Sequence, residues 1–386
     1  MIEIKEKENC VGCYACKNIC PQKCITMKSD FEGFWYPIVD VVSCIECGLC
    51  EKVCPTIHKN EIRNSPRAYA CYSINEKVRK ESSSGGIFTL IAEQIIDNDG
   101  VVFGARFDNE FYVIHDFIDK KEEIDKFRGS KYVQSKIGDT HKKVKDALLK
   151  GRQVLFSGTP CQVASLKSYL QKDYDNLICI DIICHGVPSP KVWQKYVSFQ
   201  EKRFESPISK VNFRSKDSGW KHYSVSIFFK NSYEYKKKFI KDYYMRVFLN
   251  DICLRPSCYQ CRFKSLHRQS DITLADYWGI QKMLPELDDD EGISLIFINS
   301  VKGQAMFEKI KDQTVYKEVD IYKAVVYNPS ATKSSIRNPK RESFFKEIDE
   351  LQFDQLAKKY CNDNIMFKTA NKLKSLIYKI LKKQGC

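Results

Sequence analysis

The chain has 386 residues, 43% of them hydrophobic and 29% charged, which excludes a disordered or collagen-like polymer and suffices for two or three folded units. No apolar run reaches the roughly 18 residues of a membrane span, and the opening MIEIKEKENC is polar where a secretory signal needs an apolar stretch, so the expected compartment is the cytoplasm. Lysine and arginine outnumber aspartate and glutamate 63 to 49, for a net charge of +14, and 18 cysteines in a reducing compartment point to metal or redox chemistry rather than disulfides.

Nine of those cysteines fall between Cys10 and Cys54. Residues 10–21 read CVGCYACKNICP and residues 44–55 read CIECGLCEKVCP, so a C-x2-C-x2-C-x3-C-P run repeats after 34 residues. This is the spacing with which two-cluster bacterial ferredoxins hold [4Fe-4S] clusters, the fourth cysteine of each run serving the other cluster. Cys10, Cys13, Cys16 and Cys54 are therefore expected at one cluster, and Cys44, Cys47, Cys50 and Cys20 at the other. Structural zinc favours paired C-x2-C knuckles with four ligands per ion, which two matching runs of four do not supply. Cys24 stands outside the pattern and reads as a packed thiol. Between the runs, CITMKSDFEGFWYPIVD predicts a hairpin turning at Asp30–Gly33.

Residues 56–67, TIHKNEIRNSPR, read as a linker. AYACYSI then predicts a strand, and ESSSGGIFTLIAEQIIDNDG a helix whose N-cap comes from Ser82–Ser84, with Ile87, Leu90, Ile91 and Ile95 on its apolar face. A serine- and glycine-rich helix start suits an anion such as a phosphate. VVFGARFD and FYVIHDFI predict a hairpin, followed by a polar glycine turn, Arg128 to Tyr132, able to grip anionic groups. Val154–Gly158 predicts a buried strand running into a helix opened by Pro160, with Cys161 in the first turn, where the dipole favours a thiolate. NLICIDIICHG predicts a second buried strand ending at Cys184 and His185, before a helix capped by Ser189. Strands VNFRSK and YSVSIFFK follow. The chain contains neither G-x-G-x-x-G nor G-x-x-x-x-G-K-[ST], so any dinucleotide is held by other means.

Cys258 and Cys261 form an isolated C-x2-C, half of a metal site. Cys161 and Cys184, both at strand ends, are the partners we expect, giving a third [4Fe-4S] site; zinc with His185 or His267 is the competing set. The closing segment, MFKTANKLKSLIYKILKKQGC, places Ala370, Leu373, Ile377, Ile380 and Leu381 on one helical face with lysines opposite, which suits either packing on its own domain or peripheral membrane contact.

Six motifs in order, SSSGGIFTLIAE, FRGSKYVQS, FSGTPCQVASLK, DIICHGVPSPKVW, LRPSCYQCRFK and SDITLADYWGI, over roughly residues 68–300, resemble the β subunits of coenzyme F420-reducing hydrogenase and related F420-dependent dehydrogenases. Chlorophyll-cycle reductases of the 7-hydroxymethyl type resemble the same core. The resemblance implies FAD, a nearby [4Fe-4S] cluster at Cys161, Cys184, Cys258 and Cys261, and electron transfer between a two-electron carrier and one-electron clusters. It further implies that Ser83, Ser84, Gly85 and Gly86, with Gly129, Ser130, Lys131 and Tyr132, line the flavin.

The expected fold class is α+β or α/β. A two-cluster ferredoxin module at 1–60 precedes a mixed α/β flavin-binding core, divided into 61–145 and 146–330, and a basic helical tail at 331–386. The expected function is an iron–sulfur flavoprotein oxidoreductase passing electrons between a ferredoxin-like or F420-like carrier and a small-molecule substrate. His185 is the candidate catalytic residue. The alternatives are a non-catalytic electron-transfer subunit of a hydrogenase or formate dehydrogenase, and a zinc-stabilised binding protein. With about −2 on each of three clusters the chain stays basic, which draws an acidic ferredoxin or flavodoxin, or the anionic deazaflavin coenzyme. The basic residues are spread rather than striped and carry no nucleic-acid-binding motif.

Overall fold

A computed structural model describes residues 1–58 and 62–361. Near the N-terminus, β1 (Ile25–Ser29) and β2 (Trp35–Val39) pair antiparallel as the expected hairpin, in register from Ile25 opposite Val39 to Ser29 opposite Trp35. Asp30 Oδ1 closes its turn by accepting from the amides of Glu32 (3.0 Å) and Phe34 (2.9 Å). Gly33 has φ +90° and lies so close to the core that a Cβ there would stand 2.4 Å from the Cβ of Lys191. The hairpin is thus pressed against the rest of the molecule at its tip.

An eight-stranded mixed sheet forms the centre. Its strands are β3 (Arg67–Ser73), β4 (Val101–Phe107), β5 (Val113–Ile118), β6 (Val154–Gly158) and β7 (Leu177–Ile182), joined later in the chain by β11 (Ile272–Asp276), β12 (Ser294–Ile298) and β13 (Thr314–Val319). The order is β13-β3-β12-β11-β7-β6-β4-β5. Strands β4, β6, β7 and β11 are parallel neighbours, and the remaining pairings are antiparallel. Strands β6 and β7 read as unbroken apolar runs because both faces are covered. Leu155, Ile178 and Ile180 pack under the helices Ile87–Ile96 and Val301–Ile310, while Val154, Phe156, Leu177 and Cys179 pack under Thr140–Leu149 and Pro160–Leu170.

Between β7 and β11 the chain builds a second layer. Its strands β8 (Ile208–Ser215), β9 (Ser224–Phe229) and β10 (Glu234–Lys238) form an antiparallel sheet. The helices Pro190–Phe204, Tyr243–Leu249 and Phe353–Tyr360 close over it around Trp193, Tyr196 and Tyr244, and Phe34 and Tyr36 of the hairpin join the same core. The expected α/β character is therefore observed, with the helical C-terminal residues up to 361 packed into this layer. The amphipathic stripe from Ala370 to Leu381 lies outside the described residues, among which no helix is long and apolar enough to cross a membrane.

The serines expected to cap Ile87–Ile96 do something else. Gly86, at φ +88°, is the N-cap, and Ser82 ends the preceding helix Glu76–Glu81 with its hydroxyl donating to the Val78 carbonyl. A left-handed entry favours glycine, and it frees Ser83 and Ser84 to face other loops.

Two histidines are sealed inside. His141 rests against Tyr169 and shares a 3.1 Å hydrogen bond with Ser165; burial lowers it to about 3, and His115 to about 4, from an ordinary 6.5. Below pH 6.5 the unfolded chain takes up protons at these rings and the folded chain does not. Each histidine thus removes up to a few kcal/mol as pH falls from 6.5 towards its folded value. The urea midpoint should drop between pH 7 and pH 5, and His141→Phe should flatten that slope.

Candidate functional site

The cysteine runs of the N-terminal module repeat in backbone as well as in sequence. Gly12 (φ +65°) and Tyr14 (φ +64°) are left-handed in the first run, and Glu46 (φ +50°) and Gly48 (φ +71°) occupy the matching places in the second. These turns wrap each run before the short helices Ala15–Ile19 and Leu49–Lys52 begin. Cys20, Cys44, Cys47 and Cys50 line one cavity, and Cys24 lines it with them. At the other site, burial pushes the Cys13 thiol up to about 12 and Cys16 well above its usual range, and each also feels the charges of Cys10 and Cys54. Amides already point at two of these sulfurs, Gly12 N at Cys10 Sγ (3.4 Å) and Ile2 N at Cys50 Sγ (3.3 Å). Cys24 is buried, with its Sγ 3.3 Å from that of Cys20. Among the described residues no three His, Cys, Asp or Glu side chains converge as closely as a single metal ion requires. Thiolates that each take a different iron corner stand wider apart than that.

A third thiol group forms at the carboxyl ends of the parallel strands, where open α/β sheets place their functional groups. Cys161 follows β6, Cys184 and His185 follow β7, Cys258 lies in the 3-10 turn Pro256–Gln260, and Cys261 is its C-cap. All four cysteines line one cavity, together with Val11 of the module, His185, Arg255, Lys264 and Arg268. Cys161, Cys184 and Cys258 each feel the charge of Cys261, and burial is the main cause of their raised thiols. Burial therefore overrides the helix dipole expected to favour a Cys161 thiolate. Val187 N donates to Cys258 Sγ (3.4 Å), and Thr159 Oγ1 lies 3.1 Å from Cys161 Sγ. His267 is turned away, its Nδ1 2.7 Å from the Asn64 carbonyl.

A buried polar chain fixes the Cys161 turn. His115 Nε2 meets the Ser157 carbonyl at 3.0 Å, and a carbonyl only accepts, so Nε2 carries the proton and Nδ1 accepts from Ser135 Oγ (2.9 Å). Gln162 Nε2 donates to that hydroxyl oxygen (2.8 Å), and Gln162 Oε1 accepts from Thr159 N (2.9 Å). His185 makes its own pair, Nε2 donating to Asp251 Oδ1 at 2.5 Å, with Ser330 Oγ 3.4 Å from Nδ1.

The two loops that the sequence resemblance assigned to a flavin meet beside this cavity. Ser83 Oγ accepts from Ser130 N (2.8 Å) and lies 3.0 Å from Ser130 Oγ, while Ser84 Oγ donates to the Ile293 carbonyl and Gly85 N to Ser294 Oγ. Lys131 is half-buried, its Nζ donating to the carbonyls of Phe127, Arg128 and Gly129, and desolvation lowers it to about 7. Gly129 has no atom within 4 Å of where a Cβ would stand, which leaves room for a bound group. Sequence reasoning missed Arg214, which ties the loops together. Its guanidinium donates to the Ser83 carbonyl (3.2 Å) and Tyr132 Oη (3.3 Å), pairs with Asp276 (2.8 Å), and keeps a buried Nε without a partner among the described residues. The Tyr132 ring stacks on Phe248 at 4.9 Å between centroids, and Phe248 meets the edge of His185 at 5.2 Å.

These features define an iron–sulfur protein: a two-cluster module seated on an α/β core that carries a further cysteine group. Residues 9–57 match the 4Fe-4S dicluster domain, residues 68–140 the N-terminal part of the coenzyme F420 hydrogenase/dehydrogenase beta subunit, and residues 151–324 the C-terminal part of the same subunit. The chain belongs to the coenzyme F420 hydrogenase/dehydrogenase beta subunit family, and it is an iron–sulfur subunit of oxidoreductase type. Among solved structures it is similar to a chain of the F420-reducing [NiFe] hydrogenase complex from Methanosarcina barkeri, with 16% identity over 81% of this chain and 93% of that one and a TM-score of 0.46. No curated protein sequence matches it.

Proposed function

We propose that this protein is an iron–sulfur flavoenzyme that passes electrons between a ferredoxin-like or F420-like carrier and a small substrate. When bound, [4Fe-4S] clusters exchange single electrons and FAD joins them to two-electron chemistry. The observation that carries the reading is the position of the four-thiol cavity. Val11 brings the module to one wall, and the stack from Tyr132 through Phe248 to His185 connects it with the paired serine–glycine loops. Cys161, Cys184, Cys258 and Cys261 would hold the third cluster. Ser83 to Gly86 and Gly129 to Tyr132 would hold the flavin, and Arg214 would fix the distance between them. His185 is the proton-handling group of this reading. Asp251 orients the ring through Nε2, leaving Nδ1 as the ring atom that exchanges a proton.

Charge is divided in a way that bears on the carrier. Residues 1–58 contain six lysines, no arginine and eight carboxylates, so the positive excess belongs to the rest of the chain. An acidic carrier or an anionic coenzyme is drawn to the core rather than to the module.

The test is the anaerobic visible spectrum of the purified chain with iron, sulfide and flavin content. About twelve irons with one FAD per chain is the expected result. About eight irons without flavin sinks the reading in favour of a relay subunit, and a colourless zinc protein removes both. Ser83→Ala with Ser130→Ala should lower flavin occupancy and leave iron unchanged.

A further inference from the structure

The charges around the third cysteine group differ in kind from those around the outer module site. Arg255 is completely buried, and its guanidinium meets only neutral acceptors: the carbonyls of Cys10 (2.8 Å) and Trp35 (3.0 Å), and Gln134 Oε1 (3.1 Å). Lys264 likewise donates only to carbonyls, those of Cys184, His185 (3.4 Å) and Ser330 (3.0 Å). Arg268, 3% exposed, faces Asp181 at 3.6 Å and keeps its Nε without a hydrogen-bond partner among the described residues. All three cations line the cavity of Cys161, Cys184, Cys258 and Cys261, and no carboxylate lines it. Arg255 is a buried cation with no carboxylate in contact, which is strongly unfavourable; Lys264, half-buried, meets only carbonyls, and Arg268 has a single carboxylate at 3.6 Å, so the excess of positive charge calls for an anion in the cavity. The cavity of Cys20, Cys44, Cys47 and Cys50 is lined instead by Glu46, with no lysine or arginine. Its one cation is the Met1 amine, 3.6 Å from Glu51.

Resting on the functional reading above, we propose that Arg255, Lys264 and Arg268 form a cationic collar. The collar raises the reduction potential of the group held by Cys161, Cys184, Cys258 and Cys261 above that of the outer module site. Each added electron makes a thiolate-bound cluster more negative by one charge, which nearby cations favour and Glu46 opposes. Arg255 reaches further than its companions. It touches the Cys10 carbonyl as well as the cavity, so its charge acts on the buried module site and the third site together. The collar thus sets a direction. Electrons shared between the outer module site, where Cys47 is exposed, and the third site are held most firmly at the third site, next to the flavin loops.

An EPR-monitored potentiometric titration of the full chain tests this, with the third-site signal assigned by its loss in Cys258→Ser. The third-site signal is expected to appear first as the potential is lowered. Lys264→Gln keeps a donor for the Cys184 carbonyl and removes the charge. It should shift the third-site midpoint downward by about tenfold in the reduced-to-oxidised ratio, about 59 mV for one electron. The outer module midpoint should not move, and Lys264→Arg should restore the wild-type value. Reduction of the outer module site before the third, or equal midpoints in wild type and Lys264→Gln, overturns the collar while leaving the twelve-iron reading intact. An iron content of about eight per chain overturns the functional reading itself, and the collar with it.

Discussion

Cys258→Ser should remove about four of roughly twelve irons per chain and abolish substrate turnover. Cys258 is one of four thiols lining a single cavity, and a serine hydroxyl does not replace a thiolate at iron. The module clusters share no ligand with this site, so their irons should remain and the protein should still be bleached by a chemical reductant. Cys24→Ala is the matched control. Its thiol is buried beside Cys20, yet it stands outside both runs, and full iron content is expected. Iron and sulfide assays with EPR spin quantitation read both variants. Unchanged iron in Cys258→Ser would show that the third group of cysteines holds no cluster.

Arg341→Ala should destabilise the protein by about 3–5 kcal/mol, the usual effect of removing one partner from a buried ion pair. Arg341 makes a two-pronged contact with Glu32, 2.6 and 2.5 Å, and also donates to the Leu254 carbonyl at 3.1 Å. Their side chains are 3% and 7% exposed. Alanine leaves the Glu32 carboxylate buried with no cation beside it and the Leu254 carbonyl short of a donor. Replacing both charges together, with Arg341→Met and Glu32→Leu, should recover much of the loss, because neither partner is then left uncompensated. Denaturant midpoints of the three proteins decide the matter; a loss below about 1 kcal/mol for Arg341→Ala would place this pair with exposed ones.

The local parts of the structure were legible in the sequence. Ligand spacing in the module is set by the cluster's size, so its dicluster character could be read off directly. Buried parallel strands announce themselves as apolar runs, and Pro160 marks a helix start at the residue where the structure begins one. What escaped depends on contacts between distant segments. Arg214 sits in a strand with nothing around it in sequence to mark it, and its role appears only where Ser83, Tyr132 and Asp276 meet. Arg255 precedes a visible C-x2-C pair, but its lack of a counter-ion is a property of the folded interior. Sheet order was equally hidden: β3 lies between β12 and β13, over 200 residues later in the chain. The serine cap was misread because Ser82–Ser84 have good capping chemistry; the turn instead required a left-handed residue, and Gly86 took the position.

The hairpin tip has one more consequence, for the order in which the protein is made. The eight module cysteines have emerged from the ribosome by residue 54, but the seat for Glu32 is assembled from Ser189, Leu254 and Arg341. At bacterial-like synthesis rates of 5–20 residues per second, Arg341 follows Cys54 by roughly 15 to 60 s. During that interval the growing chain carries its cysteine runs while the hairpin tip still lacks its seat. Iron and sulfide can therefore be loaded onto the module while the remainder is still being translated. Docking of the hairpin tip at Glu32 comes last.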